Sequence, residues 1–177
     1  MIDNFDRCLD LVLTRFEGGY SNDARDPGGV TMFGVTQAAW QDWVKRPVSE
    51  IEMRSLTRDK IAPMYERRFW APIKGNQLPL ALAFAVFDCS VNSGPGRAVK
   101  LLQTALGVTA DGALGSRTLD AIANIPVEGL IHDFCEERIK FMRGLSTFAA
   151  FGAGWTRRVA EVQETAVNMA KNVLELQ

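Results

Sequence analysis

The chain has 177 residues, 47% hydrophobic and 23% charged, enough to bury a core as one domain or as two small lobes. Its 20 basic and 21 acidic residues nearly cancel, 11 against 12 up to Gly96 and 9 against 9 beyond it, so neither half carries the basic stripe of a duplex-binding protein and nucleic acid is not expected as a partner. Three cysteines, Cys8, Cys89 and Cys135, come without CxxC spacing and suggest neither a disulfide framework nor a zinc site; they are expected as reduced core residues.

The opening MIDNFDRCLD lacks the basic and apolar regions of a signal peptide, so synthesis in the cytoplasm is expected. The longest apolar run, Leu80 to Phe87, is too short to span a bilayer, and no membrane insertion is expected. Phe5, Cys8, Leu9, Val12, Leu13 and Phe16 recur at three- and four-residue steps and predict a first helix, with Asp3 as N-cap and Gly18-Gly19 as a left-handed stop. Residues 20 to 35 gather turn formers, Asn22, Asp23, Asp26, Pro27, Gly28 and Gly29, and predict a loop or short hairpin. Thr36 predicts the cap of a second helix through about Val44, and Thr57 the cap of another to about Trp70, kinked at Pro63. Leu80 to about Asn92 is apolar on all sides and is expected to be the buried spine. Pro95 opens a helix ending at Gly107, and Ser116 caps one through Ala123. Two longer helices follow, at about Val127 to Leu145 and Trp155 to Leu174. The pattern is mainly α.

Chemistry concentrates between Phe16 and Thr36. Glu17 lies on the edge of the first apolar stripe at the helix C-terminus, where desolvation and the negative end of the helix dipole both favour the neutral acid. A glycosidase needs such a donor, because the departing sugar oxygen leaves poorly unless protonated. A second carboxylate in a polar setting is required as base or nucleophile, and Asp26 in the turn is the first candidate, with Asp23 as its substitute. Thr31 can hold a water with its hydroxyl. Asp88, following the apolar run, faces either a cleft or a hydrogen-bonded partner; with Asn92 and Ser93 on the same helix it is expected to form the substrate-binding floor of the groove that holds the glycan strand. Tyr20 and Phe33 are the aromatics expected near a sugar, whereas Trp40, Trp43, Tyr65, Phe69 and Trp70 are expected mostly in the core. Plainer readings stand beside these: a helix-end glutamate is usually a solvated surface residue, an aspartate before proline a turn former, and Asp88 with Asn92 a buried polar pair. His132, the only histidine, is expected to be structural.

The stretch EGGYSNDARDPGGVTMFGVT, Glu17 to Thr36, resembles the signature of glycoside hydrolase family 108, N-acetylmuramidases found among phage endolysins and once described as secretion-activating proteins. The resemblance continues through YERRFWAPI (Tyr65 to Ile73) and FDCSVNSGPGRAVKLLQ (Phe87 to Gln103). LGVTADGALGSRTLDAI (Leu106 to Ile122) and FGAGWTRRV (Phe151 to Val159) resemble the family's C-terminal predicted peptidoglycan-binding region. It implies a mainly helical, lysozyme-like fold and a catalytic glutamate at Glu17. The order Glu17, Asp26, Thr31 is similar to the glutamate, aspartate, threonine order of phage-type lysozymes, although the spacing to the threonine differs.

Together these readings predict a catalytic lobe over residues 1–94 and a helical, peptidoglycan-binding lobe over 95–177. The expected enzyme is a monomeric peptidoglycan hydrolase that cuts the β-1,4 bond between N-acetylmuramic acid and N-acetylglucosamine without metal or cofactor. It would be released to the cell wall or periplasm with a holin or other export helper. The alternatives are a lytic transglycosylase, or a noncatalytic wall-binding or secretion-assisting protein.

Overall fold

Helix α1 (Asn4–Arg15) buries Phe5, Cys8, Leu9, Val12 and Leu13, the stripe expected from the periodicity. The structure, a computed structural model, describes residues 3–22 and 29–174. Asp3 occupies the N-cap position but makes no side-chain cap bond. The predicted glycine stop is corrected: Gly18 and Gly19 have ordinary backbone angles, and α1 ends earlier. Both Phe16 and Glu17 donate their N–H groups to the Val12 carbonyl at 3.0 Å, a wide closing turn that ends the helix before the glycines are reached.

The chain forms two compact units, residues 1–67 and 68–177. In the first, strands β1 (Thr31–Met32) and β2 (Val35–Thr36) pair antiparallel with Met32 opposite Val35, so Phe33 and Gly34 alone make the turn. Ser21 pairs with Thr31 through two reciprocal backbone bonds of 2.9 Å. Helix α2 (Gln37–Val44) starts where expected, with the Thr36 hydroxyl accepting from the Ala39 N–H. Helix α3 (Glu50–Arg54), capped by Ser49, has no counterpart in the sequence reading, because five residues are too few to show a period. Helix α4 (Arg58–Tyr65) is capped by Thr57 and runs into a π-helical turn at Glu66–Trp70, beyond Pro63, which has no N–H to donate. Arg58 ties α4 to α1 with bonds to Asp6 (2.6 Å) and Asp10 (2.8 Å).

In the second unit, α5 (Leu80–Ser93) is the expected spine: residues 81 through 90 are all buried, and α6, α8 and α9 pack against it. Burial of Phe84 and Phe87 stabilises it by about 1.5–3 kcal/mol each. Helix α6 (Pro95–Ala105) begins on its proline. Helix α7 (Ser116–Ala123) takes Gly115 rather than Ser116 as N-cap, with no side-chain cap bond. Helix α8 (Val127–Arg143) stops short of Leu145, and α9 (Phe148–Leu174) begins seven residues before the expected Trp155. All three cysteines are buried and free. His132 is exposed and shares a 3.0 Å hydrogen bond with Gln163.

Candidate functional site

Glu17 stands just past the end of α1, half-buried, where the wide turn on Val12 carries the chain off the helix axis. Its carboxylate lies over the β1–β2 turn. A Cβ on Gly34 would fall inside contact distance of Glu17 Oε2 and would come within 3.0 Å of both Glu17 Cδ and the Tyr65 hydroxyl. The carboxylate can sit there only because Gly34 has no side chain.

That turn has an unusual composition. A two-residue hairpin turn of type I′ needs positive φ at both central positions, and here Phe33 has φ 50° and Gly34 φ 72°. Gly34 adopts this freely, but a bulky residue such as Phe33 rarely does. Tyr65, buried on α4, donates its hydroxyl to the Phe33 carbonyl at 2.7 Å and pins the strained peptide. Tyr65 was expected only as core; its hydroxyl and Gly34 are the parts of this site that the sequence reading missed. The TMFGVT stretch, Thr31 to Thr36, carried the available signal, two extended residues on either side of a turn ending in glycine.

Thr31 is half-buried on β1, and its hydroxyl donates to the Gly29 carbonyl at 3.1 Å. With its proton so engaged, this oxygen offers lone pairs to a water rather than a proton. Tyr20 and Phe33 are both half-buried, in keeping with rings that keep a surface toward solvent. Asp23 and Asp26 lie outside the described residues. Among the described residues of the first unit, Glu17, Gly34, Phe33 and Tyr65 therefore form one cluster, and Thr31 flanks it on the same hairpin.

The residues expected on the spine have different surroundings. Asp88 has 0% exposure, with Oδ2 2.6 Å from Arg138 Nη1 and Oδ1 2.8 Å from Arg158 Nη2. Of the two alternatives open for Asp88, cleft or bonded partner, the structure shows the partner. A sugar hydroxyl has no access to this carboxylate, which corrects its expected place on a substrate groove. The Arg138–Asp88 contact is close yet poorly aligned for a hydrogen bond, leaving Arg138 Nε and Nη1 without one, so attraction between charges holds the pair. Burial opposes the Arg138 charge, but the neighbouring Asp88 outweighs it and the guanidinium pKa is raised. Asn92 is exposed, and its Oδ1 accepts from Arg138 at 3.4 Å and from Ser93 Oγ at 3.2 Å.

A half-buried carboxylate seated over the hairpin turn, close to the Tyr65 hydroxyl, suits proton donation to an uncharged leaving oxygen. No cluster of His, Cys, Asp or Glu among the described residues could hold a metal ion. The glycosyl hydrolase 108 family model matches residues 10–94, which contain Glu17 and the whole hairpin. No match was found among curated proteins. A solved structure described as SagA of Brucella abortus is similar over 94% of this chain and 95% of its own, with 37% identity and a TM-score of 0.84. With that identity over almost the full length of both proteins, and a lysozyme-like helical architecture to match, the chain belongs to glycosyl hydrolase family 108 and is a glycoside hydrolase.

Proposed function

We propose that this glycoside hydrolase is a peptidoglycan hydrolase of the N-acetylmuramidase type, cutting the β-1,4 bond between N-acetylmuramic acid and N-acetylglucosamine with Glu17 as general acid. The family assignment supports a peptidoglycan substrate, and the observation that carries the residue assignment is the close seat of the Glu17 carboxylate against Gly34. A donor aimed by a rigid backbone loses little freedom on reaching the transition state.

In the proposed reaction Glu17 gives its proton to the glycosidic oxygen as the bond to the muramic acid anomeric carbon breaks, and positive charge develops on the sugar ring. The second carboxylate is assigned to Asp26, on the resemblance of its loop and the polarity of its sequence neighbours, with Asp23 as substitute. Thr31 accepts a hydrogen bond from the water that completes hydrolysis, since its own proton is committed to Gly29. Tyr20 and Phe33 offer ring surface to the apolar faces of the sugars.

The test is clearing of purified peptidoglycan by wild type and by Glu17→Gln, with mass spectrometry of the released fragments. Wild-type clearing that leaves reducing muramic acid ends, lost in Glu17→Gln, is the expected result. Anhydro ends would instead make the enzyme a lytic transglycosylase. Equal behaviour of the two proteins would remove Glu17 from the mechanism.

A further inference from the structure

Two charged residues that the Glu17 chemistry leaves unused converge on Tyr20. The Tyr20 hydroxyl donates to Glu50 Oε1 at 2.5 Å across 30 positions of the chain. Arg54 lies over the Tyr20 ring, its guanidinium carbon 3.9 Å from the ring centroid. The same arginine donates to Glu50 Oε1 from Nη2 at 2.9 Å and from Nε at 3.3 Å. Glu50 and Arg54 are four residues apart on α3, one above the other. A surface pair of this kind ordinarily contributes little by itself. Here each member also grips a third side chain, one by its hydroxyl and the other by its face.

The location gives the clamp its significance. Tyr20 follows Glu17 by three residues, and the intervening Gly18 and Gly19 have open space beside their Cα atoms and no side chains to anchor them. A glycine pair has wide backbone freedom. Tyr20 is the first side chain after that pair, and Ser21, next in the chain, makes the paired bonds to Thr31. Holding Tyr20 therefore sets how the chain leaves the proton donor and enters the loop.

We infer that Glu50 and Arg54 are positioning residues for glycan binding: together they fix the Tyr20 ring so that its uncovered surface receives a pyranose ring of the substrate next to Glu17. This rests on the muramidase reading of the site. Glu50 takes no part in proton transfer; it acts through Tyr20. The apolar face of a sugar buries against such a ring with little loss of freedom, because the ring is already held. The hydrogen bond to Glu50 pushes the Tyr20 phenol above its usual range, while the bond from Tyr20, followed by that from Arg54, holds the Glu50 carboxyl below its own. The depressed carboxyl loses its share of the clamp only as pH falls through its folded value. The raised phenol loses its share only as pH rises past its own, so the clamp is intact across neutral pH.

Steady-state kinetics on soluble peptidoglycan glycan oligomers would test this with Tyr20→Phe, Glu50→Ala, Arg54→Lys and the double variant Tyr20→Phe/Glu50→Ala. The chain has two tyrosines, so ring-labelled NMR titration follows the Tyr20 phenol separately. Tyr20→Phe and Glu50→Ala are each expected to raise KM roughly tenfold with kcat little changed, the double variant being no worse than either. Arg54→Lys, which keeps the charge but loses the planar contact, should raise KM by less. In Glu50→Ala the phenol should titrate nearer its ordinary value. Unchanged KM, additive effects, or a fall in kcat alone would overturn the inference. Should Glu50→Ala unfold, Tyr20→Phe and Arg54→Lys carry the same test. Failure of the underlying reading looks different, since wild type would then release no reducing ends at all.

Discussion

Gly34→Ala tests the placement of the proposed proton donor, Glu17, most directly. The new methyl would lie inside contact distance of Glu17 Oε2 and 3.0 Å from the Tyr65 hydroxyl. Tyr65 is buried and bonded to the Phe33 carbonyl, so it cannot retreat, whereas half-buried Glu17 can swing toward solvent. The side chain that yields is therefore Glu17. The left-handed backbone at Gly34 adds roughly 1–2 kcal/mol for any L-residue, a fall in Tm of about 2–8 °C for a chain of this size. Gly29→Ala isolates that backbone cost, because Gly29 has φ 62° and nothing within 4 Å of where its Cβ would be. Gly34→Ala should lose at least as much stability as Gly29→Ala, the excess being the cost of moving Glu17 aside. Displacing a catalytic group by about 1 Å costs on the order of 100-fold in rate, so Gly34→Ala should release reducing ends from peptidoglycan about 100 times more slowly than wild type while still folded. A Gly34→Ala protein that cuts at the wild-type rate would refute the reasoning: either Glu17 is not the donor, or Gly34 does not set its position.

Two further predictions concern the second unit and the core. Asp88→Asn leaves Arg138 and Arg158 facing each other without their shared carboxylate and should destabilise by about 3–5 kcal/mol, seen as a Tm lower by roughly 10 °C. Asp88→Asn/Arg138→Met should recover part of that loss, and a double variant no more stable than Asp88→Asn would count against the charge argument. Burial pushes the thiols of Cys8, Cys89 and Cys135 up to about 12, 11 and 12, so a thiol reagent at pH 8 should label none of them in the folded protein and all three in guanidinium. Because these values are raised, the contribution is complete below the usual thiol value of 9.0 and is lost as pH climbs toward 11. Thermal unfolding across that interval should show stability falling with pH, and a flat profile would contradict the buried placement.

Much of the fold was legible in the chain itself because the signals are local. The stripe from Phe5 to Leu13, the caps at Thr36 and Thr57, Pro95 at the head of α6 and the all-apolar run of α5 each depend on neighbours a few residues away. The resemblance to family 108 likewise pointed to the first helix end and hairpin, with Glu17 among its residues. Helix ends were less legible: α1 closes on Val12 before Gly18 is reached, and α9 starts at Phe148, directly after the cap-forming pair Ser146-Thr147, seven residues before the start that the apolar pattern suggested.

Tertiary structure alone decided which distant residues meet. Glu17 rests against Gly34 and comes near Tyr65, which is 48 positions away in the chain; Tyr20 is gripped by Glu50 and Arg54; Asp88 finds Arg138 and Arg158. No periodicity encodes such contacts, since each depends on how finished elements pack. For Asp88 an apolar run followed by a charge fits a cleft and a buried ion pair equally well, and only the packing of α8 and α9 onto α5 supplied the two guanidiniums that settle it. What the chain carried locally was the element that bears Glu17; the packing around it fixed where the carboxylate rests, because a side chain's position is set by the surfaces it is pressed against and not by its neighbours in sequence.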